Sequence, residues 1–250
     1  MERESKIISS FYVKDTLNSE IWDNYNDVEN SKMKEFIRDG LLDIANEFIS
    51  FLGFDIFIQD ITMTGSLANF NWSEFSDIDL HVIYDFKESG EQEDLFKDLF
   101  NLKRTLFNSQ HDITVKGYEV ETYVQDMSEP HMSTGVYSVL YNEWLTRPKP
   151  EKVSIDKDKI ESKSKNWMDI IDTTIEDLNR ERDLDKSIEK LDLVKDKIKK
   201  FRSSGLERGG EYSYENLVFK FLRRNGYIEK LFNFKNELID KTLSIEESKH

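Results

Sequence analysis

The stretch MTGSLANFNWSEFSDIDLHV, residues 63–82, decides how the rest of the chain is read. An apolar run, Ile61 to Met63, ends at Gly65-Ser66, and ten residues then separate Ser66 from Asp77. From Asp77 to Ile83 polar and apolar residues alternate, the pattern of a half-buried strand, so Asp77 and Asp79 share one face of it. Two carboxylates held close on a rigid face repel each other, and a divalent cation between them relieves that repulsion. Gly65 allows close backbone approach to a phosphate, and the Ser66 hydroxyl and neighbouring N–H groups can bond its oxygens. One segment thus offers a phosphate cradle and a metal-binding carboxylate pair.

Around it the coarse elements follow from periodicity. A helix is expected from Ser31, with Ser31 as its cap, an apolar stripe from Met33 through Ile37, Leu41, Ala45 and Phe48 to Leu52, and Gly53 as its stop. Phe54 to Met63 reads as a strand interrupted at Gln59-Asp60. Residues 67–76 read as a short helix and a loop, with Trp72 and Phe75 packing it down. Glu93 to Asn108 reads as a crossover helix after the Asp-x-Asp strand. His111 to Gln125 reads as two strands joined by a Lys116-Gly117 turn. Met132 to Thr146 reads as a helix, with Ser133 and Thr134 near its start as caps or phosphate contacts. Residues 1–30 read as an arm pinned by Trp22, without a full element.

Charge divides the chain. The net charge is -15, from 35 Lys+Arg and 50 Asp+Glu. Residues 1–150 hold 13 basic and 28 acidic side chains, and residues 151–250 hold 22 of each. The acidic half carries the Asp-x-Asp strand, which disfavours a long nucleic-acid ligand and favours a cationic small molecule or protein. Pro148-Lys149-Pro150 is the clearest linker. The second half reads as long charged helices over 155–202, a flexible segment at 203–210, a helix from Tyr212 to Gly226 and a last amphipathic helix from Tyr227. The Lys-rich stretch Lys195 to Arg202 is interleaved with Asp192 and Asp196, as on a solvated face. Lys220 and Arg224 lie four apart near a helix C-terminus, where cations suit the macrodipole and can also point together.

There is no Cys, hence no disulfide framework, thiol nucleophile or cysteine-ligated zinc. No apolar run approaches a membrane span, and the N-terminus lacks the apolar core of a signal peptide. A soluble protein of the cytoplasm, without membrane partners, is the expectation.

Gly-Ser, a spacer of about ten residues and Asp-x-Asp on a strand resemble the signature of the DNA polymerase β-like nucleotidyltransferase superfamily. Leu17 to Trp22, Thr64 to Asn69 and Gly135 to Ser138 look closest to nucleotidyltransferases predicted in large tailed bacteriophages, which would place the protein in a host cytoplasm. The resemblance implies an α+β fold: a small mixed-sheet nucleotidyltransferase domain with flanking helices over residues 1–130, then a helical domain over 131–250. It implies two Mg²⁺ or Mn²⁺ ions on Asp77, Asp79 and a third carboxylate from the neighbouring strand. Glu121 is the first choice for that position and Glu119, on the same face, the second; the family more often has Asp there. Gly65 and Ser66 would hold the NTP phosphates, and Lys220 and Arg224 would clamp the triphosphate. His81, on the carboxylate face, is a donor or proton shuttle, or a structural histidine.

The implied reaction moves an NMP from an NTP to a hydroxyl acceptor with release of pyrophosphate. An RNA 3′ end, a second nucleotide, a protein hydroxyl and a small molecule such as an aminoglycoside all remain open as acceptor. So does a catalytically silent nucleotide-binding or antitoxin-like module on the same fold, and so does a purely structural interaction protein.

Overall fold

The computed structural model describes residues 2–131, 133–151, 153–181 and 183–244. The chain divides into two compact units, one of Val13–Lys152 and one that joins Met1–Tyr12 to Val153–His250. The protein is α+β with a mixed sheet, and the sheet and the two longest helices fall in different units.

The first unit is built on a six-stranded sheet. Its strands are β3 (Ile58–Thr64), β4 (Ile78–Tyr84), β5 (Thr114–Val115), β6 (Tyr118–Asp126), β7 (Val136–Ser138) and β8 (Glu143–Thr146), in spatial order β5-β6-β4-β3-β7-β8. Two further short strands, β1 (Trp22–Asp23) and β2 (Lys32–Met33), pair with each other. β4 and β6 are parallel, and every other pair in the main sheet is antiparallel. A parallel pair needs a crossover, and α3 (Glu93–Gln110) supplies it, as the sequence led us to expect. The tight turn between β5 and β6 places both Lys116 and Gly117 at positive φ, the geometry that two-residue hairpins favour.

Alternation along the strands sorts the two faces. Ile78, Leu80 and Val82 of β4 and Ile61 and Met63 of β3 are buried in one core with Leu41, Ala45 and Phe48 of α2 (Glu35–Leu52) and Phe100 and Phe107 of α3. The opposite face carries Thr64, Asp79, His81, Glu121 and Tyr123. The Gln59-Asp60 interruption appears as a register shift in β3 between Ile58 and Asp60. Gly53 ends α2 in the left-handed conformation at φ 72°, as its position after the apolar stripe predicts.

Four local expectations are corrected. Residues 133–146 do not form a helix, and Met132, the start of the expected one, lies outside the described residues. Val136, Tyr137 and Ser138 are fully buried, Tyr137 and Ser138 pair with β3, and β8 adds a further strand. The aromatic rings explain the choice: Tyr137 and Trp144 pack on Trp22, with ring centroids 4.8 Å and 4.5 Å from it. These strands lie within Val13–Lys152. Ser31 does not cap α2. Lys32 and Met33 are drawn into pairing with Asp23 and Trp22, α2 begins after Lys34, and the Ser31 hydroxyl donates to the Val28 carbonyl. Residues 2–9, read as part of an arm, form a helix, α1 (Glu2–Ser9), whose Ile7 and Ile8 are buried.

The fourth correction is in the helical unit, which holds α4 (Lys157–Leu178), α5 (Leu184–Gly209), α6 (Tyr214–Arg224) and α7 (Tyr227–Leu243). Residues 203–209, read as flexible, continue α5. A Cβ at Gly205 would stand 2.5 Å from Glu215 Cβ of α6, so the glycine serves close helix packing rather than flexibility. Asp156, Asp183 and Ser213 cap α4, α5 and α6 through their side chains. No helix among the described residues is long and apolar enough to cross a membrane.

Candidate active site

The sheet register builds the site. β4 and β6 run side by side with Asp79 opposite Glu121 and His81 opposite Tyr123. Asp77 lies one residue before β4 begins. Carboxylate oxygens of Asp77, Asp79 and Glu121 all lie within 4.8 Å of one another, and all three residues are half-buried. The triad can hold a metal ion: three hard oxygen donors converge, and without a cation their negative charges oppose each other at short range. Glu119, the second choice for the third position, is exposed on β6 and lies outside this group.

Gly65 joins the same site from the end of β3. Its φ of 77° and ψ of -162° fall in a region essentially reserved for glycine. Thr64 stands opposite Asp79 in the strand register, and the Asp79 carboxylate occupies the space beside Gly65 that a side chain would take. The sequence suggested that this glycine makes room for a phosphate; in the structure it makes room for a carboxylate. Ser66 opens a short 3-10 turn, Ser66–Ala68, and its hydroxyl donates to Ser76 Oγ at 2.7 Å. Ser76 in turn accepts the Ser73 N–H at 2.9 Å. The turn is held from behind by Trp22, whose indole N–H donates to the Leu67 carbonyl at 2.8 Å. The arm pinned by Trp22 is therefore a support of the Gly65-Ser66 turn.

Tyr123 was not singled out from the sequence. Its hydroxyl donates to Glu121 Oε2, which fixes one oxygen of the third carboxylate. Burial, the hydrogen bond to Glu121 and the charges of Glu121 and Asp79 all raise the Tyr123 pKa, so the group stays a donor. The Tyr123 ring stacks on His81, centroids 5.0 Å apart, and the Arg104 guanidinium lies 5.1 Å from its centre. The signal was present: Tyr123 is two residues beyond Glu121 on a strand and must share its face.

His81 does lie on the carboxylate face, with Nε2 3.2 Å from Thr64 Oγ1 and Nδ1 buried without a hydrogen-bond partner among the described residues. Burial pushes its imidazole down to about 4, so it is neutral at pH 7. Trp72 donates its indole N–H to the Thr16 carbonyl at 2.9 Å, a packing role.

Lys220 and Arg224 belong to the helical unit and each has partners there. Lys220 Nζ pairs with Glu211 at 2.6 Å. The Arg224 guanidinium donates to the Ser10 hydroxyl and lies 5.2 Å from the centre of the Phe11 ring, while its carbonyl accepts from Arg3 at 2.9 Å. Within that unit these contacts fasten its parts together. In the Lys195 to Arg202 stretch, Lys195 lies 3.9 Å from the Phe232 ring centre and Arg202 4.3 Å from that of Phe219.

A cavity of about 420 Å³ opens on the carboxylate face. Thr64, His81, Tyr123 and Gln125 form its floor, Lys97, Asn101 and Arg104 of α3 one wall, and Glu129, His131 and Ser133 the other.

No protein-family model, no curated protein and no solved structure matches the chain.

Proposed function

We propose that the protein is a metal-dependent nucleotidyltransferase, in which Val13–Lys152 is the catalytic unit. The observation that carries the reading is the meeting of Gly65 with the carboxylate group: the Gly65-Ser66 turn is pressed against Asp79, and Asp79 converges with Asp77 and Glu121. A phosphate-binding turn alone or an acidic cluster alone has many uses. The two in contact suit a substrate whose phosphates must be bound beside a cation.

In this reading Asp77, Asp79 and Glu121 hold divalent cations, magnesium or manganese. Two such ions, when bound, would supply charge neutralisation at the α-phosphate and a lowered pKa for the acceptor hydroxyl. The chain supplies the rest. The Gly65-Ser66 turn binds the β- and γ-phosphates of an NTP, with the Ser66 hydroxyl turning from Ser76 to a phosphate oxygen. Tyr123 holds Glu121 in place through its hydroxyl. The acceptor oxygen forms a bond to the α-phosphorus, the bond from that phosphorus to the bridging oxygen breaks, pyrophosphate leaves, and the hydroxyl proton passes to water.

The test is pyrophosphate release from each NTP with Mg²⁺ or Mn²⁺, with cell RNA, cell protein and small hydroxyl compounds as acceptors. Release that Asp77→Asn/Asp79→Asn abolishes supports the reading. Metal-dependent NTP binding without release under any of these conditions would favour a silent nucleotide-binding module, and neither binding nor release would overturn the reading.

A further inference from the structure

We propose that the cavity on the carboxylate face is the acceptor site and that it selects a small hydroxyl compound bearing an anionic group, phosphate or carboxylate, which Arg104 binds. The proposal rests on the transferase reading above and adds the acceptor's place and charge.

Place follows from strand register. The Gly65-Ser66 turn, where pyrophosphate would leave, lies at the end of β3. The carboxylates lie on β4 and β6, and the cavity continues along β6 through Tyr123 and Gln125. An in-line displacement brings the attacking oxygen from the side opposite the leaving group. The turn follows Thr64, which stands in one row with Asp79 and Glu121, and His81, Tyr123 and Gln125 of the cavity extend along the strands on the other side of that row, so the cavity is on the attacking side. The volume of about 420 Å³ falls in the range of small-molecule sites.

Charge follows from how the lining is paired. Lys97 is neutralised by Glu93 at 2.6 Å and by Asp126 at 2.9 Å, and Asp126 also accepts from the Ser128 N–H and hydroxyl. Glu129 is exposed. Arg104 is half-buried over Tyr123 and has no carboxylate partner among the described residues. A guanidinium presents five donors in a planar fork that matches carboxylate and phosphate oxygens. Asn101, Gln125, His131 and Ser133 add further hydrogen-bonding groups around it. The catalytic half is strongly acidic overall, which favours a cationic acceptor; around this cavity Lys97 and Arg104 balance Asp126 and Glu129, and the preference for an anion comes from Arg104 alone.

The experiment is a titration of ¹⁵N-labelled full-length protein, in Mg²⁺, with glycerol 3-phosphate, glycerate and glucosamine. The two anions separate phosphate from carboxylate, and glucosamine is the cationic counterpart. Backbone amides of residues 101–104, 123–129 and 131 are expected to shift with at least one anion and not with glucosamine. Arg104→Gln is expected to weaken that anion by at least about fivefold, and Arg104→Lys by less, with melting temperatures recorded for both variants. A smaller loss in Arg104→Gln, equal binding of glucosamine, or no shift with any probe overturns the proposal. Mn²⁺ binding and pyrophosphate release, measured on the same protein, keep the two readings apart. Anion binding without either leaves an anion site and sinks the transferase; both activities without anion selection sink this proposal alone.

Discussion

The Asp79 carboxylate lies where a side chain on Gly65 would begin: a Cβ at residue 65 would stand 2.0 Å from Asp79 Oδ2. The strand that carries the acid and the turn that precedes it are fitted to each other through the absence of one methyl group. Gly65→Ala therefore combines a backbone penalty of about 1–3 kcal/mol, for a conformation essentially restricted to glycine, with displacement of Asp79. A lower melting temperature together with weakened Mn²⁺ binding is expected. Wild-type Mn²⁺ affinity in a folded Gly65→Ala protein would show that Asp79 does not depend on the glycine.

Asp77→Asn, Asp79→Asn and Glu121→Gln should each lower Mn²⁺ affinity by at least about tenfold, because each removes one of three charged oxygen ligands. Glu119→Gln serves as the control and should leave it within about twofold, since Glu119 is exposed outside the group. Electron paramagnetic resonance of free Mn²⁺ reads all four. A loss in Glu119→Gln matching that in Glu121→Gln would mean that the third ligand has been misassigned.

Gly205→Ala tests the helical unit. In an exposed helix this change stabilises by about 1 kcal/mol. At the contact of α5 with α6 the added methyl would meet Glu215 Cβ at 2.5 Å, and the overpacking cost of about 1–3 kcal/mol should reverse the sign. Urea unfolding gives the answer directly, and a more stable variant would refute the close packing.

Asp126 supplies a pH dependence. Burial raises its pKa, but hydrogen bonds from the Ser128 N–H and hydroxyl and from Lys97 outweigh this, and the net shift is downward. A carboxylate held low in the folded state stabilises above its unfolded value of about 4 and loses that contribution as pH falls through the folded value. Asp126→Asn should lower stability at pH 7 and flatten the acid limb of stability below about pH 4. An unchanged acid limb in thermal melts from pH 2 to 7 would assign the acid sensitivity to other groups.

What the sequence disclosed depended on how local the signal was. Asp77 and Asp79 could be placed together because alternation fixes faces; a third carboxylate on the neighbouring strand was implied by the family resemblance, and alternation put Glu119 and Glu121 on one face without choosing between them. Gly53 and the Lys116-Gly117 turn were legible because each satisfies a backbone requirement within a few residues. Val136 to Thr146 misled because a short stretch with mixed apolar spacing fits helix or strand, and its partners, Trp22 and β3, lie far away in sequence. Gly205 misled for a similar reason: a glycine that admits a neighbouring helix looks, in sequence, like one that loosens a chain. The pairing of Arg224 with Ser10 and Phe11 spans more than two hundred positions and leaves no periodic trace.

That same long span shapes how the polypeptide can be made. Residues 2–12 belong with the helices after residue 153, so the sheet unit is an insertion within the helical one. Ile7, Ile8 and Phe11 leave the ribosome well over a hundred residues before α6 and α7. The early helix must wait, its apolar side unsatisfied, while the whole sheet unit is synthesised and can fold as a loop between two distant anchors. Cutting the gene after residue 152 would therefore not yield two clean halves: one fragment would carry a stranded helix, and the other would lack one of its own.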